Sequence, residues 1–483
     1  MSKSQLLYKD IAPGAEEDAA VASTDATVFS MPSLLSGESA DPGKIISTDL
    51  NWWGLNGASS AVDGKTVPFW STALSGADCV FTDPPEIIIS FDSQYTIAGI
   101  TLVFDTVYCT AVNIKWYQGA TLKADMDFTP NSASYFCQNK VENFNQMVVT
   151  LNETSLPQQR ARLKQIIFGI YRYFDMSELR SVSITNEMDL LALTLPICKM
   201  KWTLDSRTDV EYMFQLKQPV EGSNDNSLIG VYYIDSFTRT AENIYNIDCY
   251  DAFGVLDENN FDGGVYSGKS AQALVTEIVD GDFDITFEVA DTTLTGALLA
   301  QTKRSAIQQV LFAWGVCAST DGQRGIRIFT PHTEPVEIGM GRTYTGVSTE
   351  TASIVTEVQV TAHTYTASSS GNVTINGTKY TDTKTVYTVT NPDVNANDKK
   401  NVVSVANATL VSTSIGQAVA QRVYDFYARR TTLKSRFVWA GERLGDCVTQ
   451  PNAWGGTNTG NIRKMEIKLS NTVAANSESA GTA

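Results

Sequence analysis

Residues 263–270, GGVYSGKS, spell G-x-x-x-x-G-K-S, the spacing with which backbone N–H groups and a lysine cradle the phosphates of a nucleotide. That chemistry needs a buried parallel strand to deliver the Gly-rich turn to a helix N-terminus. The residues just before it, LDENNFD, are polar and acidic, and Asp257, Glu258 and Asp262 would repel the anion. The acidic residue that would hold magnesium, at the end of an apolar strand, has no match downstream. The one run of that kind, EIIISFD, lies far upstream. The octapeptide therefore reads as a turn and helix cap with Lys269 in solvent. DENNFDGG invites a calcium loop, which needs oxygen ligands at its first, third and fifth positions and Gly at the sixth. Counted from Asp257, the fifth is Phe261 and the sixth Asp262, so this is a polar turn.

The chain holds two histidines, His332 and His363. A zinc site or a Ser–His pair would have to use one of them, and neither sits in a motif. A glycosidase needs only two carboxylates, but nothing singles out a pair, and the β-rich layout offers no βα repeats for a barrel of that class. No enzyme is expected, and no cofactor or metal. The seven cysteines are spread singly, without a C-x-x-C pair, and read as small buried hydrophobes made in a reducing compartment. Trp52 and Trp53, in DLNWWGLNG, are the candidate ligand contacts. Either they stack on the apolar face of a sugar, with Asn51 or Asn56 bonding its hydroxyls, or one of them plugs the end of a core.

The elements that position these residues are mostly strands. The 483 residues allow roughly two to four domains, and Thr, Val, Ile, Tyr and Phe recur along the chain. A net charge of −17 disfavours a nucleic-acid reader, which clusters Lys and Arg against phosphates. It suits plain solubility, or an acidic wall past which DNA slides without sticking. The N-terminus has no apolar core for a secretory signal, and no run approaches a membrane span. The chain is expected to be soluble and made in a cytoplasm.

The apolar runs IIISF and IAGITLVF read as core strands, and VYYIDSF and NIYNIDCYD as two strands around the turn TRTAE. The spacing predicts helices over 267–279, with Ala271, Leu274, Val275 and Ile278 on one face, and over 302–314, ended by Gly315. A third helix, SIGQAVAQRVYDFYARR, opens on a capping box of Ser414 and Gln417. Its buried stripe is Ile415, Ala418, Val419, Val423 and Phe426. EVQVTAHTYTASSSGNVTINGTKYTDTKTVYTV between the second and third helices is a long hairpin, and two more strands follow around NAWGGTNTG.

Two resemblances follow from these segments. SSAVDGKTVPFWST with PPEIIISFDSQYTIAGITLVFD, closing on RARLKQIIFG, resembles discoidin-type domains, the coagulation-factor C-type β-sandwich, over about residues 36–170. Asp63, Gly64 and Trp70 fall on the matching positions. Such domains commonly bind glycans or lipid head groups through loops at one end.

The remainder, about 175–470, resembles the hub proteins of phage tails and related contractile injection machines. The carriers are LIGVYYIDSFTRTAENIYNIDCYDAFGVLDENNFDGGVYSGKSAQALVTEIV, KRSAIQQVLFAWGVCASTDGQRGIRIFTP, and the "G-D-x-V … G-x-I-x-K" ending within YARRTTLKSRFVWAGERLGDCVTQPNAWGGTNTGNIRKMEIKLS. The opening octapeptide then belongs to a turn-and-helix without a nucleotide role.

Together these imply a mainly β (α+β) protein. It has an extended arm (1–35), a discoidin-like β-sandwich (36–172), a first tube-like β-barrel (173–262), a small α/β subdomain (263–345), a second β-barrel (346–470) and a disordered tail (471–483). The resemblance implies a virion structural protein, a tail or baseplate hub subunit assembled in the bacterial host cytoplasm. It would form a homotrimer joining the tail tube to the tail tip, with tape-measure, spike or other baseplate proteins as neighbours. DNA would pass through the ring at ejection without sequence-specific binding, there is no membrane insertion, and the discoidin-like domain would touch a tail protein or a host-surface glycan in host attachment. The rivals are a free-standing glycan-binding adhesin and a polysaccharide hydrolase with a binding module.

Overall fold

The computed structural model describes residues 4–12, 14–27, 30–36, 67–206, 214–225, 227–395, 397–452, 455–470 and 473–481. The chain divides into two compact units, one of Lys9–Arg172 and one of Met1–Tyr8 with Tyr173–Ala483. The architecture is mainly β, as the composition implies.

The unit Lys9–Arg172 is built on two long strands, Glu86–Phe104 and Ser134–Thr154, paired antiparallel. Ordered across the sheet are Phe69–Trp70, Arg162–Ile167, Glu86–Phe104, Ser134–Thr154, Cys109–Gln118 and Thr121–Phe128. In the first long strand the inward residues are Ile87, Ile89, Phe91 and Ile97, then Ile100, Leu102 and Phe104. The inward parity passes from odd to even across Gly99, where the register shifts, as a β-bulge re-aims the side chains after it. Gly99 has φ +157, and a Cβ there would stand 2.4 Å from the Cys137 carbonyl oxygen, so no larger residue fits. Both halves of the strand pack on one core with Trp116, Phe144 and Phe168.

The expected arm is tied down. Residues 4–8, part of the second unit, pair with 220–224 of that unit; in the first unit Ala20–Ala22 pairs with 88–90, and helix α1 (Ala15–Asp18) precedes it.

In the second unit one sheet takes strands from both ends of the sequence. Its order is Ser348–Thr351, Thr431–Val438, Ala474–Gly481, Thr457–Lys468, Leu179–Glu187, Lys199–Asp205, Ile244–Tyr250, Ser227–Ala241, Pro219–Asn224 and Ser4–Ile11. Residues 183–187 beside 464–468 join the two distant segments. Tyr8, Trp202, Tyr232, Phe437, Ile184 and Ile467 are among the side chains that fill its core.

Residues 474–481, expected to be disordered, form a strand hydrogen-bonded on both sides. Its inward side chains are small, Ala475, Ser477 and Ser479, and Ser477 bonds Ser435 through their hydroxyls at 2.9 Å. A run of Ala and Ser has the composition of a solvated tail, yet alternation and close packing make it an interior strand.

A second core lies under helices α2 (Ala252–Glu258), α3 (Ala271–Val279), α4 (Lys303–Trp314) and α5 (Gly416–Ala428). α3 buries Ala271, Leu274, Val275 and Ile278 as the spacing predicts, but starts at Ser270, whose hydroxyl accepts from the Ala273 N–H. α4 is capped by Thr302 and closed by Gly315 in the left-handed region. α5 lacks the expected capping box. Its N-cap position is Ile415, with no side-chain cap, because Ser414 bonds Ser412 through their hydroxyls instead. The long hairpin joins this core as a four-stranded sheet, ordered Val373–Ile375, Thr378–Thr390, Glu357–Ala367 and Val402–Val405.

Candidate functional site

The segment GGVYSGKS is no phosphate cradle. Residues 264–270 form a strand paired antiparallel with Thr293–Leu298. At the N-terminus of α3, where a phosphate would sit, stands the Asp291 carboxylate. It accepts from the Ser270 hydroxyl at 2.6 Å and from the Gln272 and Thr292 N–H groups at 3.1 and 2.8 Å. These bonds, the Ser270 hydroxyl first, hold its carboxyl below the ordinary range. Lys269 is not free in solvent but pairs with Glu277 at 3.0 Å. The chain's own anion and its own cation thus use the groups a nucleotide would need.

The histidines do not meet. His332 Nδ1 lies 3.0 Å from Asp446 Oδ1 at the surface. His363 is buried, its Nδ1 3.0 Å from both Asp382 carboxylate oxygens and its Nε2 3.0 Å from the Ala406 carbonyl. That ring ties three segments of the hairpin sheet together, a structural use that consumes both nitrogens. Among the described residues no three His, Cys, Asp or Glu side chains gather as a metal site. The cysteines are free thiols. Burial pushes Cys137, Cys249 and Cys317 up to about 12, away from the thiolate form that reacts.

Trp52, Trp53, Asn51 and Asn56, with Asp63 and Gly64, lie outside the described residues. Trp70 is buried beneath the Arg162 guanidinium, 5.0 Å from its ring, and serves packing.

Two fully buried carboxylates anchor the second unit. Asp251 caps α2 by accepting from the Gly254 N–H at 3.3 Å, and accepts from the Thr320 hydroxyl at 2.8 Å. Burial outweighs these bonds and raises its pKa to about 6. Asp321 is also raised by burial, against its bonds from Ser319 and the Leu444 N–H. A cavity of about 590 Å³ beside α5 is lined among others by Leu190, His332, Arg422, Asp425, Phe426 and Arg429. Of its polar groups, Arg422 donates to the Phe312 carbonyl, and Gln421 donates to Asp425 at 2.7 Å. No nucleophile stands beside a base there.

The surface of the large sheet is the more informative feature. Charged side chains on its strands pair with one another. Lys201 meets Asp248 and Arg180 meets Asp205, each at 2.7 Å. Lys464 meets Glu187 and Arg463 meets Glu478, each at 3.3 Å. Lys434 meets Glu350 of the end strand at 2.7 Å. These five cations each have an acid beside them, which weakens them as anchors for a nucleic acid. Sequence reading located the strands but not their margins, because alternation marks a strand without telling what lies beside it.

No protein-family model and no curated protein matches the chain. Among solved structures it is similar to a tail protein from Neisseria meningitidis MC58, at 11 % identity and a TM-score of 0.47, over 64 % of this chain and 93 % of that one. It is similar to the 43 kDa tail protein of prophage MuSo2 from Shewanella oneidensis, at 9 % identity and a TM-score of 0.46, over 64 % and 95 % of the two chains. A third likeness, at 8 % identity and a TM-score of 0.40 over 63 % and 74 %, is to an E. coli type VI secretion component described as structurally similar to the T4 bacteriophage tail proteins gp27 and gp5.

Proposed function

We propose that this chain is a non-enzymatic structural protein of a virion, a tail or baseplate hub subunit. Three copies form a ring that joins the tail tube to the tail tip and lets DNA pass at ejection. A half-barrel among the sheets of this mainly β chain supports this reading. A curved sheet that does not close within its own chain leaves margins that aggregate unless something covers them. Copies related by a closed rotation cover them and leave a central hole. The three segments that resemble hub proteins all fall in this unit, and their "G-D-x-V … G-x-I-x-K" ending spans the paired strands Cys447–Pro451 and Thr457–Lys468.

The unit Lys9–Arg172, discoidin-like by sequence resemblance, sits in this reading on the ring's periphery, where it touches a neighbouring tail protein or a host-surface glycan. The test is negative-stain electron microscopy of the purified chain. Rings with a central hole support the reading. Single particles without a hole, at every concentration up to that of a packed cell lysate, count against it and favour a free-standing glycan binder.

A further inference from the structure

The long-hairpin sheet ends on two open margins within one chain, and their geometry is complementary. Along a strand the N–H and C=O of one residue point to one side and those of the next residue to the other. Val373–Ile375 pairs with residues 378–380 on the side of Thr378–Thr390 that faces away from Glu357–Ala367. On that same side the Asp382 N–H donates to Asn372 Oδ1 at 3.0 Å. Lys384, Val386 and Thr388 therefore turn their backbone groups outward as well. The His363 N–H agrees: opposite Lys384 in the register, it points away from the hairpin partner to the Val411 carbonyl at 2.8 Å. Among the described residues no strand lies beside this outer margin past residue 380.

The opposite margin is Val402–Val405, parallel to Glu357–Ala367 with Glu357 facing Val402. In that ladder Glu357 bonds the residues flanking its partner, so Val402 and Ser404 face outward.

Natural edges are blunted by bulges, prolines, short length or inward-pointing charge. Here the register runs without a shift from residues 357 and 390 to 367 and 380, and no proline interrupts Thr378–Thr390. The one lysine of the outward set, Lys384, lies 3.9 Å from Asp382. Val386 is 56 % exposed in mid-strand. Such an edge is built to be paired.

We propose that the outward margin at Lys384, Val386 and Thr388 pairs with the strand Val402–Val405 of a second copy of this chain. This rests on the ring-forming reading above and names its contact. The occupant follows from strand direction. Thr378–Thr390 runs against Glu357–Ala367, and Val402–Val405 runs with it. A neighbour in the same orientation therefore meets the margin antiparallel, the more stable ladder. One margin of each copy meets the other margin of the next, a head-to-tail contact, and such contacts make a ring where the rotation from copy to copy closes. On the shared face Val386 and Val402 supply a β-branched cross-strand pair.

The test compares the mass of the full chain in solution with that of two variants, Val386→Pro and Ser404→Pro. Each removes an outward N–H that takes no part in its own sheet, so the fold is kept. The wild type is expected as a trimer and both variants as monomers, an about threefold fall in mass, with unchanged melting temperatures. Should a proline variant melt lower, Val386→Lys repeats the test without touching the backbone, since it sets a second lysine beside Lys384. A trimeric wild type with trimeric variants overturns this contact and leaves the hub reading standing. A monomeric wild type overturns both.

Discussion

At the scale of single residues, the informative groups are those whose chemistry the fold has already used. Asp291 stands where an anion would bind, and both ring nitrogens of His363 are bonded. Asp251 is different, because it is buried among neutral donors and its pKa rises to about 6. A carboxyl whose folded pKa lies above its unfolded value of 3.8 favours folding while protonated. That contribution is whole below pH 3.8 and is lost as the pH rises through about 6. Each unit of difference is worth about 1.4 kcal/mol, so the loss by neutral pH is about 3 kcal/mol. Asn at 251 can still accept from the Gly254 N–H and can donate to the Thr320 hydroxyl, and it carries no charge. Asp251→Asn should therefore be at least as stable as the wild type at pH 7, with its advantage shrinking toward pH 4. Urea midpoints of the two chains at pH 4, 5, 6 and 7 measure this, and the comparison at each pH cancels the other carboxylates. Parallel midpoint curves would sink the argument.

At the scale of elements, the end of the chain gives the sharpest contrast between pattern and composition. Ala474–Gly481 lies between Thr431–Val438 and Thr457–Lys468, bonded to both. Deleting residues 473–483 strips a ladder from each neighbour and uncovers Phe437 and Met465, both now buried. Unpaired interior edges of this kind aggregate. The truncated chain should go to the insoluble fraction or lose its cooperative thermal transition, whereas a solvated tail could be removed without effect. A soluble truncated chain with an unchanged melting curve would refute this.

The same contrast explains what was legible in the sequence. Strands and helices with large apolar side chains declared themselves: IIISF, VYYIDSF, the α3 face and the α4 stop at Gly315 follow from period and glycine alone. Elements made of small or locally satisfied residues did not. The terminal strand is Ala and Ser. α2 hides in AFGVLDE behind its buried cap Asp251. The Ser414 hydroxyl meets Ser412, so a correct capping motif is left unused. The two margins of the hairpin sheet escaped for another reason: edge or interior is settled by tertiary neighbours, which no local window contains.

At the scale of the whole molecule, charge decides what can pass by it. The chain carries 36 Lys and Arg against 53 Asp and Glu, and Arg180, Lys201, Lys434, Arg463 and Lys464 on the large sheet stand beside acids at 2.7 to 3.3 Å. DNA affinity comes chiefly from lysines and arginines that release counterions from phosphates. Here those five side chains are paired with acids, and the net charge of −17 makes the summed field repulsive. The hub proposed above, with DNA sliding through it, needs that property, because each retained phosphate contact would slow the passage. The purified protein should therefore leave duplex DNA unshifted in electrophoresis even near 50 mM salt, where basic contacts are strongest. Retention that weakens as salt is raised would mean that an unpaired basic track exists, and the surface would then be a binding site instead of a wall. Retention indifferent to salt would point to bases read in a groove, which no cluster of Arg or Lys in this sequence is arranged to do. Either result would remove DNA passage from the proposed function, leaving the proposed ring as a scaffold for tail proteins alone.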